Sequence, residues 1–423
     1  MRARLCARRL STSKAVAVVS LTSRQRAVRT PRVSLSLSVR SRKLSCKESF
    51  PLRCALAVSR WKVSNLKYSK FKNMNVVICQ ALGSELQAFL SALSFDKVFI
   101  LTDEHTRALC LPLLQGVEAL KEAPVICTAA GDTHKSLQYL AKIWERLSNE
   151  GATRHSLLIN LGGGMVTDMG GFAGATFKRG IRTINIPTTL MASVDAAVGG
   201  KTGINFNGLK NEIGSFYPPL CVFIDCEFLR TLDRDNILSG YAEMIKHGLI
   251  SDMEHYTSVM LYDIDTMNYA YLNRLVEQSV AVKERIVEED PKEQGIRKAL
   301  NFGHTIGHAY ESLSFQKQRP ILHGHAVAAG IVSELYLSHV VCGFPMEKVR
   351  QVVYYIKEYY SPFAFDCKDY DRLYELMTHD KKNEGGVINF TLLKQVGDVH
   401  INQSVTKQRV LESLDFYRES MGM

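Results

Sequence analysis

Short apolar, β-branched runs recur at positions 76–79, 98–102, 125–127, 157–160, 183–186 and 222–224, and the stretches between them carry apolar residues at helical spacing. That alternation predicts βαβ units and hence a parallel sheet. After about Leu232 the strand signals nearly stop, and long amphipathic stretches take over at 237–250, 269–288, 297–313 and 325–342. The pattern predicts an α/β nucleotide-binding domain over 74–232, followed by an all-α metal- and substrate-binding domain over 233–423. The cleft between them is the expected site.

Residues 1–73 stand outside this pattern. They hold 19 of the 53 Lys and Arg against a single acid, Glu48, a net +18, and contain neither Gly nor His. An Arg- and Ser-rich, acid-poor leader without an apolar period has the composition of an organellar transit peptide, whereas Met74 and the apolar run after it read as an ordinary start entering a first strand. The segment is expected to be a disordered upstream extension outside the mature fold. The other 350 residues carry 34 basic and 41 acidic side chains, a net −7, so the +11 of the whole chain is no sign of nucleic-acid binding. No stretch is expected to approach the roughly 20 apolar residues that span a bilayer. A soluble cytoplasmic protein follows, or a plastid or mitochondrial one if the leader is a genuine transit peptide. Ten scattered cysteines without metal-site spacing read as buried thiols in a reducing compartment.

Three segments carry candidate chemistry. In the first, the strand 157–161 runs into Gly162, Gly163 and Gly164 and then a helix containing Asp168, Gly170 and Gly171. Consecutive glycines let backbone N–H groups approach an anion at a helix N-terminus. The segment departs from the GxGxxG dinucleotide fingerprint at Thr167, yet its place in a βα unit favours a pyrophosphate. Thr188 and Thr189, after the next strand, put two hydroxyls at the same sheet edge. The second segment runs from Asp195 to Gly203 and includes Gly199, Gly200 and Lys201. A phosphate loop would need Gly at position 195, so nucleotide hydrolysis is rejected. With Lys210, Asn211 and the upstream Arg179, Lys201 instead supplies donors for a small anionic substrate. In the third, Glu243 and Lys246 share a predicted helix, His304 and His308 lie four apart on one helical face, and His323 follows. One carboxylate and two imidazoles suit a catalytic zinc. His247, His255, His325 and His379 read as hydrogen-bonded core histidines.

Together and in this order, these segments resemble the 3-dehydroquinate synthase family of sugar-phosphate cyclases, over residues 74–423. Singly, each also occurs in the related glycerol and iron-dependent alcohol dehydrogenases. The resemblance implies a homodimeric lyase of the shikimate pathway that converts 3-deoxy-D-arabino-heptulosonate 7-phosphate to 3-dehydroquinate and phosphate, with NAD regenerated each turnover and a divalent metal, zinc or cobalt. It implies that Glu243, His304 and His323 hold the metal, with His308 beside the substrate. Asp195, Lys201, Lys210, Asn211, Lys246, Lys283, Arg297, Asn301 and one of Lys381 and Lys382 line the substrate pocket, and Arg179 reaches across a dimer interface. Asn301 and His308 move protons or bind phosphate. For NAD the matching positions are Asp103, Asp132, Lys135, Gly163, Gly164, Asp168, Thr188 and Thr189, with Lys201 and Lys210 adjoining. Two departures are visible: Asp132 and His325 stand where the family more often has Glu. The alternatives are another sugar-phosphate cyclase, which should differ around Asn301, His308 and Arg297, and a zinc-dependent polyol or glycerol-phosphate dehydrogenase, against which the dense cation set argues.

Overall fold

The computed structural model describes residues 68–70, 75–207, 209–378 and 388–423, all within one compact unit that begins at Arg53. The leader is therefore outside the described residues except for its last strand, and Lys381, Lys382 and His379 are outside them too.

The first half is a sheet wrapped by helices: β1 (Tyr68–Lys70), β2 (Asn75–Ile78), α1 (Leu82–Ser91), β3 (Val98–Asp103), α2 (Glu104–Leu109), β4 (Val125–Thr128), α3 (Leu137–Asn149), β5 (Leu157–Gly162), α4 (Gly164–Thr176), β6 (Arg182–Pro187), β7 (Lys201–Phe206), β8 (Leu209–Phe216) and β9 (Cys221–Ile224). The strand order is β1-β2-β9-β6-β5-β3-β4, and every pairing is parallel except β1 with β2. All six expected strands are present. Each residue of β3, β5 and β9 is buried, as strands covered on both faces require. The parallel pairings align the C-terminal ends of β3, β5 and β6 on one edge of the sheet, where α-helix N-termini and ligands meet in such folds.

The second half contains α5 (Arg234–Ser251), α6 (Met253–Met260), α7 (Tyr269–Glu289), α8 (His304–Gln316), α9 (His323–Leu337), α10 (Met346–Tyr359), α11 (Tyr370–Thr378), β10 (Asn389–Gln395), β11 (Asp398–Ser404) and α12 (Lys407–Met421). Side-chain caps set several starts. Asp233 accepts from the Asn236 amide at 2.8 Å to begin α5, and Asn268 accepts from that of Tyr271 at 3.1 Å to begin α7. The buried apolar faces of α5, α7, α8, α9 and α12 form the larger core.

Several expectations are corrected. The stretch 297–313 is not one helix: a 3-10 turn, Ile296–Asn301, is broken from α8 by Gly303 at φ 78°, where any Cβ would lie 2.6 Å from Ile331. Positions 201–216, outside the six expected strands, form an antiparallel β7–β8 hairpin, and β10–β11 is a second hairpin within the half expected to be all helical. The last residues of the segment set aside as leader form an edge strand, Tyr68 pairing opposite Val77. The helix His323–Cys342 is long and apolar enough by composition to cross a membrane, although 67% of its apolar 18-residue stretch, of mean hydropathy 1.3, is buried against its own fold. Among the described residues seven cysteines are free thiols, and Cys127 and Cys367 are exposed rather than buried.

Candidate active site

Helix α5 is buried without interruption from Ile237 to Ile250, so its ionisable residues are carried into the interior by their apolar neighbours. Glu243 is fully buried, and Lys246, one turn on, pairs with its Oε2. Its Oε1 faces His304 Nε2 at 3.4 Å and His323 Nε2 at 3.7 Å, and neither carboxylate oxygen makes a well-formed hydrogen bond. Those separations exceed ordinary N–H···O distances. A buried carboxylate with unspent lone pairs and two imidazole nitrogens directed at it is a fitting Glu-His-His donor set for zinc or a similar divalent ion. The rings of His304, His308 and His323 stand 5.3–5.6 Å apart, centre to centre. Burial alone would raise the Glu243 pKa, but Lys246, followed by His304 and His323, holds it well below the usual carboxylate range.

The other histidines separate cleanly. His325 Nε2 lies 3.2 Å from the Asp235 carbonyl, away from Glu243, so His323 is the ring that joins the cluster. His255 is buried and bonded to Ser279 and Gln278. His247 was expected to be hydrogen-bonded; it is fully buried with no hydrogen-bond partner among the described residues on either nitrogen, and burial, reinforced by Lys246, keeps it neutral.

Cations converge on the same region. Lys283 donates to Asp195 Oδ1 at 2.5 Å, joining α7 to the π-type turn Ala192–Ala196. Arg297 donates to the Pro291 carbonyl at 2.7 Å and to that of Gly199 at 3.4 Å. Lys201 opens β7 and pairs with Glu293, whose other oxygen accepts from Asn301 at 3.0 Å. Lys210, on β8, meets Glu311 at 2.6 Å and Asp132 at 3.5 Å. Arg179 is exposed at the turn that follows α4, and no hydrogen bond or ion pair ties it to these residues.

The glycine turn lies at the sheet edge as expected. The Thr188 amide donates to the Gly162 carbonyl at 3.1 Å, tying β6 to the mouth of α4. A Cβ at Gly163 would lie 3.1 Å from Thr189, and one at Gly164 3.1 Å from Ala196, so the glycines let this turn pack closely against the segment that follows β6. The Thr188 hydroxyl is buried without a hydrogen-bond partner among the described residues, an orphan that a ligand can satisfy. Lys135 donates to Asp168 at 2.5 Å and also to Asn211. Asp103 instead caps α2, accepting from the Thr106 amide at 2.8 Å.

Three carboxylates central to this arrangement escaped the sequence reading. Glu293 and Glu311 hold the cations. Glu334, a lone acid in the apolar α9, accepts from the amides of Gly303 at 2.7 Å and Ile306 at 3.0 Å and so seats the start of α8 beneath His304. An acid inside an otherwise apolar run was the signal available for it.

A parallel sheet with a glycine-lined helix start at its C-terminal edge, a helical half carrying a Glu-His-His set around a buried carboxylate, and a rim of lysines define an enzyme of the nucleotide- and metal-dependent cyclase and dehydrogenase class. The 3-dehydroquinate synthase N-terminal family profile matches residues 125–239, and the C-terminal profile matches 240–383. The chain is 80% identical over 348 residues to a 3-dehydroquinate synthase of Parabacteroides distasonis, covering 82% of this chain and 99% of that one. It is 40% identical over 337 residues to one from Pyrococcus furiosus, covering 78% and 96%. Two solved structures share the fold at 23% identity: a 2-deoxy-scyllo-inosose synthase complexed with carbaglucose-6-phosphate, NAD+ and Co2+ (TM-score 0.70, covering 84% and 99%), and a 2-epi-5-epi-valiolone synthase from Streptomyces hygroscopicus subsp. jinggangensis with NAD+ and Zn2+ bound (0.73, covering 85% and 99%). The chain belongs to the 3-dehydroquinate synthase family. It is a phosphate-eliminating carbon–oxygen lyase of aromatic amino acid biosynthesis.

Proposed function

We propose that Glu243, His304 and His323 hold a divalent metal, zinc or cobalt, and that NAD lies across the Gly163–Gly164 turn with Asp103, Asp132, Lys135, Asp168, Thr188 and Thr189 around it. The convergence of two imidazole nitrogens on the buried Glu243 carboxylate carries this reading. Bound there, the metal would supply Lewis-acid polarisation of the hydroxyls of 3-deoxy-D-arabino-heptulosonate 7-phosphate and NAD would supply a reversible hydride acceptor, the chemistry that phosphate elimination and intramolecular ring closure to 3-dehydroquinate require.

The chain's own residues do the rest. A substrate bearing both carboxylate and phosphate meets Lys201, Lys210, Lys246, Lys283, Arg297, Asn211 and Asn301, which fix its orientation by charge-assisted hydrogen bonds. Asp195 keeps Lys283 directed into the site. His308, beside the two ligand imidazoles, is positioned to hold or move a proton on the substrate. One lysine of Lys381 and Lys382 completes the pocket. Arg179 serves at the contact between two copies of a cytoplasmic homodimer, a reading that its exposed position supports. Residues 74–232 bind the nucleotide and 233–423 the metal, with the β7–β8 hairpin bringing Lys201 and Lys210 across.

The test is phosphate release from this sugar phosphate by the chain starting at Met74, with catalytic NAD+ and with metal present or chelated. Release that requires both, without accumulation of NADH, supports the reading. Steady NADH formation from glycerol or glycerol phosphate without phosphate release overturns it in favour of a dehydrogenase.

A further inference from the structure

Glu311 lies on α8 seven residues after His304 and three after His308, on the same helix face. Its buried carboxylate divides its two oxygens. Oε2 is 3.2 Å from His323 Nδ1, and Oε1 accepts from Lys210 Nζ at 2.6 Å. Phe315, one turn further along α8, sets its ring 5.1 Å from the same ammonium. One helix therefore presents His304, His308, Glu311 and Phe315 as a single stripe, and that stripe grips the β7–β8 hairpin through Lys210.

The two ligand imidazoles are anchored by different means. His304 has the Phe302 carbonyl 3.0 Å from its Nδ1, an anchor supplied by its own entry turn. His323 opens α9, where Leu322 offers no side-chain cap, and its ring is one-third exposed. Its Nδ1 depends on a residue from another helix. A carboxylate accepting from Nδ1–H selects the tautomer whose Nε2 lone pair is available, fixes the ring plane and makes that nitrogen a stronger donor to a metal.

We propose that Glu311 is a positioning residue that orients His323 toward Glu243 and at the same time seats Lys210, linking the metal donors to the substrate-binding hairpin. The inference rests on Glu243, His304 and His323 being the metal ligands. Glu311 itself touches neither metal nor substrate. Because it acts through His323 in one direction and through Lys210 in the other, the two effects separate by mutation.

The experiment measures Co2+ affinity of the metal-stripped full chain by competition with a chromophoric chelator, with no turnover involved. Glu311→Gln is expected to weaken Co2+ binding about 10- to 100-fold while the thermal midpoint of the metal-free protein stays at the wild-type value. In a His323→Ala background the same substitution is expected to add nothing, because the two residues act as a unit. Lys210→Met is expected to raise KM for the sugar phosphate and to leave Co2+ affinity unchanged. Wild-type affinity in Glu311→Gln, or an equal loss with and without His323, overturns the proposal. A loss of Co2+ affinity in Lys210→Met as large as that in Glu311→Gln also overturns it. Wild-type affinity in Glu243→Gln and His323→Ala as well would instead show that the metal assignment itself is wrong.

Discussion

Asn301 Nδ2 donates to Glu293 Oε1 at 3.0 Å, and the opposite oxygen of that carboxylate receives Lys201, so one acid holds two of the proposed substrate donors. Burial would raise the Glu293 pKa, but Lys201 and the Asn301 hydrogen bond hold it low. Lys201 remains half exposed, and an ion pair of that kind contributes at most about 1 kcal/mol to stability. Its value lies in binding. Lys201→Met is expected to lower kcat/KM by about 10- to 100-fold, the loss of one charge-assisted hydrogen bond of about 1.5–3 kcal/mol. The thermal midpoint should move little. Steady-state kinetics beside a melting curve check the pair of outcomes, and a large fall in melting temperature would assign Lys201 to the fold instead.

Lys246 and Glu243 are both buried, and each is the other's counter-charge within α5. Glu243→Gln leaves the ammonium unpaired in the interior, which is expected to destabilise the metal-free protein by about 3–5 kcal/mol. Adding Lys246→Met should recover most of that stability. Neither variant should retain metal. Denaturant unfolding and metal analysis of the purified variants measure both effects.

How far the sequence reveals this molecule depends on burial. The strands at 98–103 and 157–162 are covered on both faces, so their apolar runs are continuous and were readable from composition alone. Strand β8 is exposed at nearly every position and spells Leu-Lys-Asn-Glu-Ile-Gly-Ser-Phe, which gives no alternation to detect. The hairpin is defined by pairing across to β7, a non-local fact. Within the site, Glu243 and the histidines were legible because ligand-type residues recur at helical spacing. Glu293 and Glu311 were not, since an acid on an amphipathic stretch looks like solvated surface until the fold places a lysine or imidazole against it.

His255 sits at the start of α6, bonded to Ser279 at 2.9 Å, and burial holds its pKa below the ordinary value of 6.5. A histidine kept neutral in the folded state binds fewer protons there than in the unfolded chain once pH drops below about 6.5. Stability is therefore expected to fall as pH decreases from about 6.5, at no more than about 1.4 kcal/mol per pH unit from this group, until its folded pKa is passed. Melting temperatures between pH 5 and 8 should show the slope. His255→Gln should reduce it, leaving the part that the buried His247 contributes in the same direction, and an unchanged slope would locate the titrating group elsewhere.

Gly170 faces the sheet from the middle of α4, and a Cβ there would lie 2.0 Å from Asn160 Oδ1 and 2.7 Å from Leu101. The missing side chain is what lets the helix lie flat on β3 and β5. Beneath it runs a polar ladder: Asn160 Nδ2 donates to Asn185 Oδ1 at 2.8 Å, and Asn185 Nδ2 to the Ala197 carbonyl at 3.3 Å, just past the turn carrying Asp195. Gly170→Ala must push α4 outward or turn Asn160 out of the ladder. Overpacking of this kind costs about 1–3 kcal/mol. The displacement also reaches the helix start at Gly163 and Gly164, so NAD+ affinity should fall together with stability. Gly83, on α1, is the contrasting position, because no described residue lies within 4 Å of where a Cβ would stand and its backbone is helical. Gly83→Ala is expected to stabilise by about 0.5–1 kcal/mol and to leave NAD+ binding alone. Opposite signs for these two substitutions, read by unfolding and by NAD+ titration, would locate the nucleotide site's rigidity in the contact between α4 and the sheet. Equal signs would mean that α4 is not held by that contact.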